Sequence, residues 1–195
     1  MSRTAHVLDP AAPGCGVALC DALSILQEED SLVILGGCDR VREAEARGVV
    51  VDGAVPMPLR VPRLASPQLA RVLRTVMNAP GRGPIGRIMA WSESALVAAL
   101  GADHRVPVVG QIAAVSGRPP RIEPWRRSRA RVHPIGPEIG PQLARRGWRI
   151  GEARSATDFP MQDVAHRSGR RVDRAGIRRQ WGVEGANELV VAMSA

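Results

Sequence analysis

Three groups of residues in this 195-residue chain are of a type and spacing that can do chemistry. The first begins with a short apolar run, Ala5 to Leu8, ended by Asp9-Pro10. Pro13-Gly14-Cys15-Gly16 then precedes a stretch from Val17 to about Gln27 in which Leu19, Leu23 and Leu26 keep helical register. Strand, glycine turn and helix start is the local plan of a phosphate cradle. Gly14 and Gly16 let the backbone approach an anion, and the first turn of a helix offers unpartnered N–H groups. The turn is not GxGxxG, since position 19 is Leu, and it lacks the Lys-Ser/Thr of a P-loop. A plain tight turn accounts for the same residues. Asp9, where the run ends, can meet a ligand or fold its carboxylate back onto its own turn.

The second group lies between Pro84 and Ala114. Ile85 to Trp91 is apolar and too short for a long helix. Ser92-Glu93 opens a new pattern with Leu96, Val97, Ala99 and Leu100 on one helical face, stopped by Gly101. Ser92 suits an N-cap and Glu93 suits the positive end of the helix dipole. Val106 to Val109 is the next apolar run. Strand, helix and strand in about 30 residues make a βαβ unit with a right-handed crossover. In open α/β sheets ligands bind outside the carboxyl ends of the strands. Trp91 and Ser92, and Gly110-Gln111, are therefore expected at the edge of a cleft, although packing and capping alone explain the first two. Of the four histidines, His133 stands nearest the same cleft, and His104 reads as a solvated turn residue.

The third group is basic. Gly117 to Arg131 holds Arg118, Arg121, Arg126, Arg127, Arg129 and Arg131, with Trp125 and three prolines among them. A solvated loop is the plain reading. The functional reading is an anionic contact surface for phosphates or lipid headgroups, with Trp125 as an interfacial anchor. No helix-turn-helix, zinc-finger or RNP pattern accompanies it, so nucleic acid is not the expected partner.

These groups need a frame. The composition, 45% apolar, supports one ordinary domain or one domain with part of another. No run reaches the ~20 apolar residues of a membrane span. The opening residues lack the apolar region of a signal peptide, which points to a cytoplasmic protein, with peripheral contact at the inner face of a membrane as a further expectation. All 27 basic residues are Arg and none is Lys, a bias that reads as mutational background and weakens any inference from the net charge of +8. Cys15, Cys20 and Cys38 show no metal-ligand or redox spacing, so no metal is expected; they read as small buried hydrophobes in a reducing compartment.

The remaining elements follow from periodicity. Strands are expected at Ser31–Leu35, Val49–Val51 and Ala130–Ile135, and helices at Asp39–Arg47, Ser66–Met77 and Pro137–Gly147. Trp148 to Ile150 returns toward the sheet. The fold class is α/β, a Rossmann-like parallel sheet with helices on both faces. Residues 1–151 form the domain and 152–172 a linker. Residues 173–195 then carry a short helix, Asp173 to Trp181, and a strand, Glu188 to Met193.

Three spans in this order resemble the N-terminal half of a two-domain GT-B glycosyltransferase of the retaining family-four type. HVLDPAAPGCGVALCDALSIL resembles that fold's opening strand, glycine turn and first helix. RIMAWSESALVAAL with RVPVVGQIAAV is similar to its fourth and fifth strands. ARVHPIGPEIGPQLARRGW, followed by RAGIRRQWGVEGANELVVAMSA, is similar to the segments leading into the C-terminal domain. The resemblance implies an acceptor-binding domain. Gly14, Cys15 and Gly16 would face the phosphates of a nucleotide-sugar donor, and Asp9, Trp91, Ser92, Gln111 and His133 would border the acceptor. Met89 and Ala113 stand where the family often carries His, and Gln111 takes the place of a Thr. Most donor-binding residues of the family belong to the other domain. The chain alone is therefore expected to bind no donor cofactor and to need a C-terminal domain or partner subunit, with a sugar or lipid-linked acceptor. No catalytic residue is identified. Two other readings stand beside this one. One is a non-catalytic module that binds an anionic surface or a protein through the arginine-rich loop. The other is a self-sufficient nucleotide-dependent enzyme using the Pro13–Gly16 turn.

Overall fold

The computed structural model describes residues 3–13, 30–46, 50–57, 61–102, 105–115, 117, 119–136 and 138–152. The expected glycine turn (Gly14, Cys15, Gly16), first helix, His104, Arg118, the linker after Glu152 and the last helix and strand lie outside them.

Six strands form one parallel sheet: β1 (Arg3–Leu8), β2 (Ser31–Leu35), β3 (Gly53–Val55), β4 (Ile85–Ala90), β5 (Val108–Ile112) and β6 (Arg131–Pro134), in the order β3-β2-β1-β4-β5-β6. The helices are α1 (Cys38–Glu45), α2 (Pro62–Met77), α3 (Glu93–Gly101), α4 (Pro124–Arg127) and α5 (Ile139–Arg145). The chain steps outward from β1 in both directions, so the order reverses between β1 and β4. Right-handed crossovers that step in opposite directions lie on opposite faces, which sets α1 and α3 on different sides of this Rossmann-like sheet.

Strand register explains the packing. Gly53, Val33, Val7, Ala90, Gly110 and Val132 form one row across all six strands. The row's two glycines, Gly53 on the edge strand β3 and Gly110 on β5, sit where helices press onto the sheet. A Cβ at Gly53 would meet Val72 Cγ1 of α2 at 2.4 Å, and one at Gly110 would meet Leu96 Cδ2 of α3 at 3.0 Å. On this face Leu69, Leu73, Leu96, Leu100 and Leu143 close the core, each fully buried leucine contributing about 1.5–3 kcal/mol.

Several boundaries differ from the periodic reading. The third strand is Gly53–Val55 rather than Val49–Val51, and Val50 is 72% exposed. Asp52 decides this: its backbone donates to Leu32 O and its carboxylate accepts from Leu32 N, which locks the register one step before Gly53. Helix α2 begins at Pro62 rather than Ser66, because Pro fits the first helical position, where no N–H is needed. Strand β5 runs to Ile112, since Gln111 and Ile112 pair with His133 and Pro134 of β6. Gln111 is thus buried inside a strand and not at its edge. The arginine-rich segment is no plain loop, for Pro124 starts α4 within it. Cys38 is exposed at the head of α1, contrary to a buried reading of the cysteines. Two helix boundaries match: Ser92 caps the start of α3, accepting from Ala95 N at 3.1 Å, and Gly147 ends the α5 turn at φ +78°. Among the described residues no helix is long and apolar enough to cross a membrane.

Candidate functional site

The carboxyl ends of β1 and β4, where the strand order reverses, open into a cavity of about 680 Å3, within the range of about 300–1,000 Å3 common for small-molecule sites. Asp9 lies at its base. The residue is 4% exposed. Its Oδ1 accepts from Ala11 N at 3.0 Å, closing the turn after β1, and its Oδ2 accepts from Ser94 Oγ at 2.5 Å.

The direction of the hydroxyl chain follows from proton counting. A serine has one hydroxyl proton, and that of Ser94 goes to Asp9. The 2.9 Å contact between Ser92 Oγ and Ser94 Oγ is therefore donated by Ser92, whose own oxygen accepts from Ala95 N. A polarised chain runs from the N-terminal turn of α3 through two hydroxyls to the Asp9 carboxylate, each bond strengthening the next. Each carboxylate oxygen has two acceptor sites and uses one among the described residues, which leaves acceptor capacity toward the cavity.

The walls are apolar, with Ala11, Ala12 and Pro13 on one side and Met57, Val61, Val97, Pro119 and Pro120 around the rest. Arg63, at the start of α2, and Arg121 stand at the exposed rim. Glu93 also reaches the lining, but its carboxylate is committed: it accepts from Arg146 Nη1 at 2.6 Å and from Trp148 Nε1 at 2.9 Å, holding the chain after α5 against the start of α3.

The other sequence candidates lie elsewhere. Trp91, Gln111 and His133 do not line this cavity. Trp91 is 4% exposed, and its indole N–H donates to His6 Nδ1 at 3.1 Å with the two rings stacked. An indole nitrogen only donates, so Nδ1 of His6 is the acceptor and Nε2 faces Asp30 Oδ2 at 3.0 Å. His133 Nδ1 contacts Glu152 O at 3.0 Å.

The arginines divide. Arg126 donates to Leu100 O at 3.2 Å and lies over the Trp125 ring; Arg127 donates to Arg146 O at 2.5 Å and lies over the Trp148 ring. Arg129 borders a smaller cavity of about 270 Å3 together with Arg105. Of the basic group, Arg121 alone among the described arginines faces the main cavity. Among the described residues no cluster of three or more His, Cys, Asp or Glu could hold a metal ion.

Sequence reasoning missed Ser94, Arg63 and the His6–Asp30 pair. Ser94 carries a local signal, a second hydroxyl in the first turn of a helix that already has a serine cap. The others carry none, since Arg63 and Arg121 are 58 positions apart in the sequence. No protein-family model, curated protein or solved structure matches the chain.

Proposed function

We propose that this chain supplies the acceptor-binding domain of a glycosyltransferase, and that the acceptor sits in the cavity between the ends of β1 and β4. The observation that carries the reading is the lining of that cavity: a buried carboxylate with spare acceptor capacity at the base, and apolar walls around it. This is the chemistry that receives a sugar or another polyol. The carboxylate accepts its hydroxyls, and the walls take its C–H faces.

Sugar transfer from a nucleotide-sugar builds negative charge on the leaving diphosphate. Preorganised cations and N–H dipoles stabilise that charge, and the reacting groups must be held together in a closed cleft. In this reading Asp9 orients the acceptor hydroxyl, the Ser92–Ser94 chain holds Asp9, and a second domain or partner subunit brings the donor. The isolated chain binds acceptor and does not turn over.

Titration of the full chain with a panel of sugars and polyols, followed by NMR, tests this. Saturable binding that falls about tenfold or more in Asp9→Asn supports it. Binding indifferent to Asp9→Asn, or none across the panel, removes it.

A second reading, a module for an anionic surface, draws on Trp125, which is 55% exposed on the same segment as Arg121 and Arg129. Sedimentation with anionic vesicles that fails at high salt and in Trp125→Ala supports it. Salt-insensitive binding, or none, removes it.

A further inference from the structure

We infer that the mouth of the cavity is an anion subsite, in which Arg121 and Arg63 hold a phosphate group carried by the ligand whose hydroxyl meets Asp9. The inference rests on the acceptor reading of that cavity and adds the chemical class of the acceptor: a phosphate ester of a hydroxylated compound.

The argument is one of charge and commitment. Arg126 and Arg127 spend their guanidinium groups on backbone carbonyls and tryptophan rings. Arg121 is exposed at the cavity rim and makes no hydrogen bond or ion pair among the described residues. Arg63 stands at the same rim and is paired with Glu123, a carboxylate 39% exposed that Arg126 also approaches at 3.5 Å. Two guanidinium groups, Arg63 and Arg126, thus share one carboxylate, and Arg121 stands at the mouth with no ion pair among the described residues, which leaves positive charge in excess there.

The base of the cavity has the opposite character. Asp9 is anionic there, while the charge of Glu93 is balanced by Arg146. A ligand anionic along its whole length is repelled by Asp9, and a cationic one is repelled at the mouth. A ligand with hydroxyls at one end and an anion at the other matches both. Guanidinium forks fit phosphate oxygens bidentately. Because both arginines are exposed, the attraction weakens as salt shields it.

Glu123 makes the idea specific. It is an internal anion that occupies Arg63, so removing its charge releases Arg63 for the ligand. A role for Glu123 confined to folding does not predict a gain in binding.

The experiment uses the full chain at low salt, with glucose, glucose 6-phosphate and inorganic phosphate as soluble probes. Vesicles of phosphatidylcholine with or without phosphatidic acid are the lipid probe. Glucose 6-phosphate is expected to bind about tenfold or more tighter than glucose, a preference lost in Arg121→Gln, reduced by salt, and widened in Glu123→Gln. Equivalent Arg121 dependence with phosphatidic acid vesicles, and not with glucose 6-phosphate, assigns the phosphate to a lipid headgroup; the reverse assigns it to a soluble ester. Equal affinity for glucose and its phosphate with no Arg121-dependent binding to phosphatidic acid vesicles, a preference that survives both Arg121→Gln and Arg63→Gln, or no binding of any probe overturns the subsite. Sugar binding lost in Asp9→Asn without any phosphate preference keeps the acceptor site and removes the subsite. Phosphate binding that needs Arg121 but ignores both the sugar and Asp9→Asn keeps the subsite and removes the acceptor reading.

Discussion

The indole N–H of Trp91 donates to His6 Nδ1 at 3.1 Å, across 85 positions of sequence. This bond ties the link between β4 and α3 to the middle of β1. Beyond it, Asp30 Oδ1 accepts from Thr4 N at 2.7 Å and Oδ2 meets His6 Nε2, so the start of β2 joins the same network. The two central strands and the first strand beside them are stitched by polar groups that are almost fully buried, and such groups are costly to leave without a partner.

Trp91→Phe removes that donor and some volume while keeping an aromatic ring. We expect a loss of about 1–3 kcal/mol in stability, read from urea denaturation. Ligand binding in the cavity should be unchanged once the protein is folded, because Trp91 is not part of its lining. Lost binding at full stability would contradict that placement.

Ser94→Ala cuts the hydroxyl chain at its last link. Asp9 then loses the donor at Oδ2 while Ala11 N still holds Oδ1. The expected cost is about 1–2 kcal/mol in stability, since Ser94 is only partly buried. Sugar affinity should weaken several-fold through a less well-held Asp9. Denaturation and titration of the same variant check both, and unchanged affinity would show that Ser94 does not position Asp9.

Glu93 anchors the return of the chain after α5. It is 3% exposed as a side chain and its partner Arg146 is 14% exposed. Glu93→Ala leaves the Trp148 indole N–H and part of the Arg146 charge without this partner, and should cost about 3 kcal/mol. Trp148→Phe removes one of the two bonds and should cost less. A double-mutant cycle should show the two effects to be coupled rather than additive, and simple additivity would argue against the shared site.

Gly101, the last residue of α3, is where α2 crosses. A Cβ there would meet Ser66 Oγ at 2.2 Å and Ser66 Cβ at 2.8 Å. Gly101→Ala is expected to destabilise by about 1–3 kcal/mol through overpacking. Ser66→Gly in the same chain should recover a large part of that loss, because it removes both clashing atoms. Thermal unfolding of the single and double variants decides it; no recovery would mean that the strain falls elsewhere.

Much of the frame was legible in the residue order. Short apolar runs separated by helical periodicity mark β1, β2, β4, β5 and β6, and the spacing between them demands parallel strands. The Ser92 cap and the Gly147 stop were also legible, because capping is decided by hydrogen bonds within a few residues. The site was legible in part: Asp9 and Ser92 stand at strand ends, where an α/β sheet opens to ligands, and both line the cavity.

What the tertiary structure decided is everything that depends on partners far away in the chain. Strand β3 forms at Gly53–Val55 because Asp52 is held by Leu32 and because α2 needs a glycine beneath Val72, neither of which leaves a trace in local periodicity. Trp91 turns away from the cavity because His6 offers its indole an acceptor on the other side. Among arginines of one type in one segment, backbone carbonyls and tryptophan rings claim Arg126 and Arg127, while Arg121 is left at the cavity rim. Residue order determines local conformation through short-range sterics and capping. Which polar group meets which follows only from strand register and helix crossing, and these are set by burial over the whole sheet.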